Sequence, residues 1–516
     1  MNTESRTLNA KKNIITAFLS KILILILVFV CRKVFIVYIG VAYLGINGLF
    51  ANILTLLSMA DLGLATAMNV RLYKPLAEGD KDKLASILNY FKKIYWIIAL
   101  AVLVIGLCLT PFLKYIVNMD SEIPHLYLYY VIFVLKSVCS YLFVYKQSII
   151  NADQHRYIVN FIEMFTNIAI SILKIVFIIV FRSFLLYILL DVAQVIIHNV
   201  IISVVANKQY PFIKQKNKLD KNEKKSIFSD VRSAFVYKVS RSMISGTDNI
   251  IISIIIGTII VGVYSNYSTI VGLVEEFIAL FFASLTAGIG NLVAKESPFK
   301  RFQVFKRVQV LGFFLCTFCS MCLLFLSQDF ISIFFGEDLL LDSFTLFTIV
   351  LCFYVNISFR PMIIFREGTG MYFKIKYAVL VAAILNIGLS IFLGKLIGLP
   401  GIFLATFIAK VTTYFWLEPK LLYRDTFERS SKSYFSSHGQ NLIITIVCFV
   451  IIFAFTNKMP SSSIIFMFVK LFVCMLVCGT AYYFYYRNSE EYNYFKDLLK
   501  SRFNSLQTKF KKKGIK

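Results

Sequence analysis

Residues 14 to 39 read IITAFLSKILILILVFVCRKVFIVYI. Apolar side chains fill this stretch apart from Thr16, Ser20 and the three cations Lys21, Arg32 and Lys33. About twenty apolar residues in a helix cross the ~30 Å hydrocarbon layer of a bilayer. Lys11 and Lys12 precede the run, yet it continues to Ile39 with no small-residue cleavage site, which marks a first span and not a cleaved signal. Comparable runs recur along all 516 residues. The chain is 58% apolar and 16% charged, with a mean hydropathy of +0.75, whereas a soluble protein carries about 25% charge. That excludes a soluble multidomain enzyme. It predicts an all-α polytopic membrane protein.

Hydropathy places fourteen helices near residues 14–39, 44–66, 94–113, 124–145, 158–181, 184–206, 233–257, 259–287, 308–327, 343–365, 377–394, 398–417, 440–457 and 463–486. The net charge of +26 tests that count, because Lys and Arg collect in cytoplasmic loops. With the N-terminus inside, 41 of the 54 Lys and Arg fall in inner segments, and only Lys114, Arg182, Lys395 and Lys458 fall in outer loops. One miscounted helix would invert every later loop. Both termini are therefore expected in the cytoplasm, and the charge reports topology, not nucleic-acid binding. The connection KQYPFIKQKNKLDKNEKKS (208–226) and the tail KFKKKGIK (509–516) are expected against anionic membrane lipids, at about 1 kcal/mol per cation.

The chain also repeats itself. Gly40 with Tyr43-Leu44-Gly45 is echoed 217 residues later by Gly257 with Ile260-Val261-Gly262. Asn167-Ile168-Ala169-Ile170-Ser171-Ile172 is echoed by Asn386-Ile387-Gly388-Leu389-Ser390-Ile391, 219 residues on. Nearly equal offsets predict a duplication: two pseudo-symmetric six-helix bundles around a central cavity, plus two C-terminal helices. The expected domains are 1–206 and 231–420 for the bundles, with a basic cytoplasmic loop at 207–230. A cytoplasmic loop with two added helices covers 421–486, and 487–516 is a basic cytoplasmic tail.

A charge at the middle of a span costs about 2.5–3.5 kcal/mol, so it faces a cavity or a partner. Helical spacing lines up Glu163, Asn167, Ser171 and Lys174; Arg241, Ser245 and Asp248; and Tyr129, Lys136, Ser140 and Gln147. Arg32, Lys33, Lys136, Lys174, Arg241 and Arg360 are read as the cationic lining for an anionic cargo, arginine gripping phosphate oxygens two at a time. Glu163, Asp248 and Asp61 are the acidic candidates for a coupling H+ or Na+ site. Lys21, Glu275, Glu276, Lys410 and Lys470, nearer span ends or off any stripe, read as snorkelling or paired. Cys316, Cys319 and Cys322 have a partial iron–sulfur spacing but lie in FFLCTFCSMCLLF (313–325) with no fourth ligand, and read as packing.

RTLN (6–9), FVCRKVFI (29–36), YLGINGLF (43–50), ADLG (60–63), LYKPLAE (72–78), GTDN (246–249) and GVYSNY (262–267) together resemble the Wzx-type polysaccharide flippases. These form the polysaccharide transporter branch of the multidrug/oligosaccharidyl-lipid/polysaccharide (MOP) exporter superfamily. The resemblance implies fourteen helices, a cavity opening alternately to each side, and a bacterial cytoplasmic membrane. It implies as cargo an undecaprenyl-diphosphate-linked oligosaccharide flipped outward for capsule, exopolysaccharide or O-antigen assembly. It also implies a functional monomer working beside a polysaccharide polymerase and a chain-length regulator, with no cofactor beyond a coupling ion. Arg32 matches the family's first-helix arginine, whereas Asp61 stands where relatives often carry glutamate.

Two other readings stand beside it. A multidrug or cation antiporter of the same superfamily would favour an acidic, aromatic cavity, against the cationic excess here. A membrane glycan polymerase or glycosyltransferase finds its best motif in Asp80-Lys81-Asp82, a D-x-D able to hold a divalent ion. The absence of a P-loop argues against ATP hydrolysis.

Overall fold

The computed structural model describes residues 16, 23–58, 64–119, 122–225, 227, 239–240, 242–244, 246–369, 371–460, 463–497 and 500–501. All regular structure there is helical. In chain order the helices are α1 (23–38), α2 (Val41–Leu57), α3 (Leu64–Glu78), α4 (Lys81–Leu109), α5 (Leu126–Tyr141) and α6 (Val144–Ala152). There follow α7 (Arg156–Phe181), α8 (Phe184–Gln209), α9 (Asp248–Ile255), α10 (Thr258–Lys295), α11 (Pro298–Phe335) and α12 (Ser343–Ser358). The remainder are α13 (Arg360–Thr369), α14 (Tyr372–Ile397), α15 (Leu399–Thr412), α16 (Tyr414–Leu422), α17 (Lys432–Thr456) and α18 (Ile464–Tyr486).

The chain is an all-α polytopic membrane protein. Among the described residues ten helical runs are long and apolar enough to cross a bilayer, or eleven when α5 and α6, bent by 42°, count as one. Each of the fourteen expected stretches overlaps helix. The span count is lower because α2, at 17 residues, reaches only about 26 Å. Residues 14–15 and 17–22 of the first stretch, and several around 233–245 in the seventh, lie outside the described residues. The outward faces stay apolar. Only 22% of the most apolar window of α18 is buried, and Ile465, Phe468 and Phe472 on that helix are exposed, a surface that lipid tolerates and water does not.

The chain divides into two compact units, Met1–Asn266 with Phe373–Ala409, and Tyr267–Tyr372 with Lys410–Lys516. These bounds differ from the 1–206 and 231–420 expected from the sequence repeat. In the first unit one core gathers Leu72, Phe91, Tyr95 and Ile149 from α3, α4 and α6. A second gathers Phe35, Phe50, Phe133 and Phe184 from α1, α2, α5 and α8. In the second unit Phe313, Cys448, Cys474 and Tyr482 join α11 to α17 and α18. All ten cysteines are free. Cys316 donates its Sγ hydrogen to the Tyr354 carbonyl at 3.2 Å, a packing role.

Within the first unit the duplicated glycines meet. Gly40 and Gly257 precede α2 and α10 at φ of 102° and 140°, values that favour glycine. One turn into each helix, a Cβ on Gly45 would overlap the Thr258 carbonyl, and a Cβ on Gly262 would lie 2.5 Å from the Val41 carbonyl oxygen. Thr258 is the 217-residue counterpart of Val41, as Gly262 is of Gly45, so the contact is reciprocal, as across a two-fold axis. The second repeat behaves alike: Asn167 accepts from Gln194 at 2.7 Å and Asn386 donates to Thr406 at 2.7 Å, each tying its helix to the next one in the chain.

Gly45→Val and Gly262→Val should each lower stability by about 1–3 kcal/mol through overpacking. Gly272→Ala, where a Cβ meets nothing within 4 Å, should not. Thermal unfolding midpoints of the detergent-solubilised protein check this.

Candidate functional site

The first unit holds a charged cluster built on a buried Lys174–Asp191 pair. Lys174 on α7 donates to Asp191 on α8, and Lys136 on α5 reaches the other carboxylate oxygen of Asp191 at 3.2 Å. Lys174 also lies 4.5 Å from the centre of the Tyr187 ring, one turn before Asp191. Phe35 on α1 packs edge-on against that ring at 4.8 Å, which brings Arg32, one turn earlier on α1, to the same neighbourhood. Arg32 donates through Nε to Asn266 Oδ1 at 2.5 Å and through a terminal nitrogen to Ser265 Oγ. Ser265 and Asn266 are consecutive on α10. Among Arg32, Lys136, Lys174 and Asp191, cations outnumber carboxylates three to one.

The polar stripe on α7 faces α8, because Asn167 and Lys174 bond to Gln194 and Asp191. The stripe on α5 ends sooner than its spacing suggests. A break at Leu142–Phe143 bends the helix by 42° and sets Gln147 on α6. Asn199 on α8 donates to the Cys139 carbonyl at 2.9 Å beside the break, and a side chain entering the helical ladder is a known cause of such kinks.

Not every candidate joins this cluster. Lys33 is exposed, one residue and about 100° around α1 from Arg32. Glu163 is also exposed, one turn before Asn167, whose amide donates to the Glu163 carbonyl at 2.7 Å. Asp248 is half-buried in the first turn of α9, where an acidic side chain complements the helix dipole. Arg241 and Asp61 lie outside the described residues, as does Lys21.

In the second unit, Arg360 opens α13 and is half-buried. Three further charged contacts cross helices there. Lys470 meets Asp329 at 2.6 Å, both buried. One guanidinium nitrogen of Arg366 donates to both Glu418 oxygens at 2.6 and 2.8 Å. Lys410 donates to Asn356 at 2.7 Å, and Asn356 donates to Glu275 at 3.0 Å. Lys410, Lys470 and Glu275 are thus tied between helices. Sequence reading missed the Arg366–Glu418 pair because hydropathy put both residues in loops, and it left Asp191 without a partner because nothing in the sequence sets α5, α7 and α8 side by side.

The D-x-D motif has structural work. Asp80 caps α4 by accepting from the Lys83 amide at 2.9 Å, and Asp82 accepts from Asn217 at 3.0 Å. Lys83 in turn pairs with Glu223, and Asn89 donates to the Gln215 carbonyl at 2.5 Å. With Ile213 and Leu219 buried, the basic connection docks on the start of α4 within the first unit.

No family model and no curated protein matches the chain. Solved structures do. The lipid II flippase MurJ in an inward closed conformation superposes with a TM-score of 0.65 at 18% identity, covering 92% of this chain and 98% of its own. An inward-facing multidrug resistance MATE family transporter of the MOP superfamily gives 0.61 at 13%, covering 78% and 97%. The Vibrio cholerae MATE transporter VcmN gives 0.57 at 13%, covering 83% and 100%. The chain therefore has the fold shared by MurJ and the MATE transporters.

Asp191→Asn should cost about 3–5 kcal/mol, since it leaves the buried Lys174 ammonium without its carboxylate. Lys136→Met, which keeps the Lys174 pair, should cost less. Denaturant unfolding in detergent measures both, and equal losses would show that the cluster is not organised around Asp191.

Proposed function

We propose that this chain is a flippase that moves an undecaprenyl-diphosphate-linked oligosaccharide from the inner to the outer leaflet of a bacterial cytoplasmic membrane. The observation that carries the reading is the pair Lys174 and Lys136 on Asp191, with Arg32 near it on α1, in a fold that MurJ shares over 92% of this chain. Basic groups held at membrane depth suit an anionic head. A diphosphate carries that charge, and arginine contributes directional donors to its oxygens. Sugars cannot enter hydrocarbon because each hydroxyl would lose its hydrogen bonds. The polyprenyl chain needs no such shelter.

In this proposal Arg32, Lys136, Lys174, Arg241 and Arg360 compensate the cargo, while Lys33, exposed on α1, is the least suited of the six basic candidates. Asp191 already holds two ammonium groups. Coupling to H+ or Na+ is therefore assigned to Glu163, Asp248 and Asp61, in an alternating-access cycle. The destination would be capsule, exopolysaccharide or O-antigen assembly, with a polymerase and a chain-length regulator as downstream partners. The second reading, a multidrug or cation antiporter, is favoured by the several MATE transporters that share the fold.

Reconstitution into vesicles with a lipid-linked oligosaccharide separates the two. Flipping should be measurable, and Arg32→Ala and Arg360→Ala should each slow it about tenfold, the effect of losing one charge-assisted contact of about 1.4 kcal/mol. Unchanged rates would overturn the cationic assignment. Export of cationic dyes with no movement of the glycan lipid would favour the antiporter.

A further inference from the structure

A second hollow with charged walls lies in the second unit. The first turns of α11, the chain just after the π-helical turn Tyr423–Phe427, and the residues following α18 border a partly open hollow of about 170 Å³. Lys306, Arg307 and Arg429 line it together with Glu490 and Glu491. Aromatic rings hold the cations. Arg429 lies 4.5 Å from the Phe302 centroid and 5.6 Å from that of Phe299, Lys306 lies 6.0 Å from Phe302, and Arg307 lies 3.9 Å from Tyr494. A cation seated over a ring face gains attraction without a counter-ion. Among the described residues, none of the three forms an ion pair with either glutamate. Opposite charges thus share one small hollow without closing on each other.

Its depth follows from helix length. The 38 residues of α11 measure about 57 Å against about 30 Å of hydrocarbon, so the polar turns at one end stand outside the apolar layer. α18 ends at Tyr486, shortly before Glu490. Tyr483, Tyr485, Tyr486, Tyr492 and Tyr494 crowd that end, the aromatic composition typical of the lipid–water boundary. Phe299 is exposed there. All three segments are ones that the charge count assigns to the cytoplasmic side.

We propose that this cavity binds the headgroup of a zwitterionic phospholipid, a phosphodiester carrying a primary amine, with its phosphate against Lys306, Arg307 and Arg429 and its ammonium against Glu490 and Glu491. A hollow of 170 Å³ is too small for a drug-sized ligand, for which pockets run to about 300–1,000 Å³. It has room for a headgroup. A purely anionic ligand would leave the two carboxylates facing it, and a purely cationic one would face the three basic groups. The zwitterion satisfies both walls.

The test measures lipid binding to the full-length protein in detergent by native mass spectrometry, with phosphatidylethanolamine, phosphatidylglycerol and phosphatidylcholine as probes. Phosphatidylethanolamine should bind most tightly. Arg307→Gln with Arg429→Gln should weaken phosphatidylethanolamine and phosphatidylglycerol alike, by about tenfold. The lysine pair Arg307→Lys with Arg429→Lys should recover most of that loss. Glu490→Gln with Glu491→Gln should weaken phosphatidylethanolamine by a similar factor and leave phosphatidylglycerol unchanged or tighter, a change of selectivity that mere loss of structure would not produce. Wild-type preference for phosphatidylglycerol, an equal effect of the glutamate pair on both lipids, or no effect of either pair overturns the proposal. Soluble phosphoethanolamine competing as well as the lipid would also overturn it, by making the ligand a metabolite instead of a membrane component.

Discussion

Asp191, shared between Lys174 and Lys136, sets the terms on which this chain carries charge through the membrane. Coulomb energies grow as the surroundings become less polarisable, so a buried ion is tolerated only where its compensation stands beside it. One carboxylate bridging cations from two different helices also fixes how α5, α7 and α8 lie against each other. The pairs Lys470–Asp329 and Arg366–Glu418 obey the same rule in the second unit. Arg32 donates to the oxygens of Ser265 and Asn266 on α10.

The fold was legible in the sequence because the bilayer reduces folding to a one-dimensional problem. Helices must satisfy their own backbone in lipid, so apolar run length locates them. Span ends were less legible. Arg366 and Glu418, placed in loops by hydropathy, lie on α13 and α16 and are buried, because a paired ion sits deeper than an apolar average allows. Helical spacing found the stripe on α7, since 3.6-residue periodicity survives within one straight helix. It failed on α5, where the break at Leu142–Phe143 resets the phase before Gln147. Spacing within one helix also cannot report which neighbour a side chain meets, so Lys136 and Lys174 looked like open cations until Asp191 was seen between them.

The two ends of the polarity scale are handled by separate parts of the molecule. Lys174, Lys470 and Arg366 are met by carboxylates on adjacent helices. Lys306, Arg307 and Arg429 rest on aromatic rings instead. A ring offers attraction without neutralising the cation. Basic side chains at the rim therefore stay charged toward whatever approaches from the lipid headgroups, while the acidic connection partners of α4, Asp82 and Glu223, are spent on holding the basic loop in place.

The reciprocal seating of Gly45 and Gly262 carries an evolutionary consequence. After a gene doubles, its copies normally drift apart wherever each can be compensated locally. Here each copy's glycine is the clearance for the other copy's main chain, through Thr258 and Val41. No change of side chain in the opposite repeat can make room, since the obstacle is backbone. These two positions are thus each held to glycine by the main chain of the other helix.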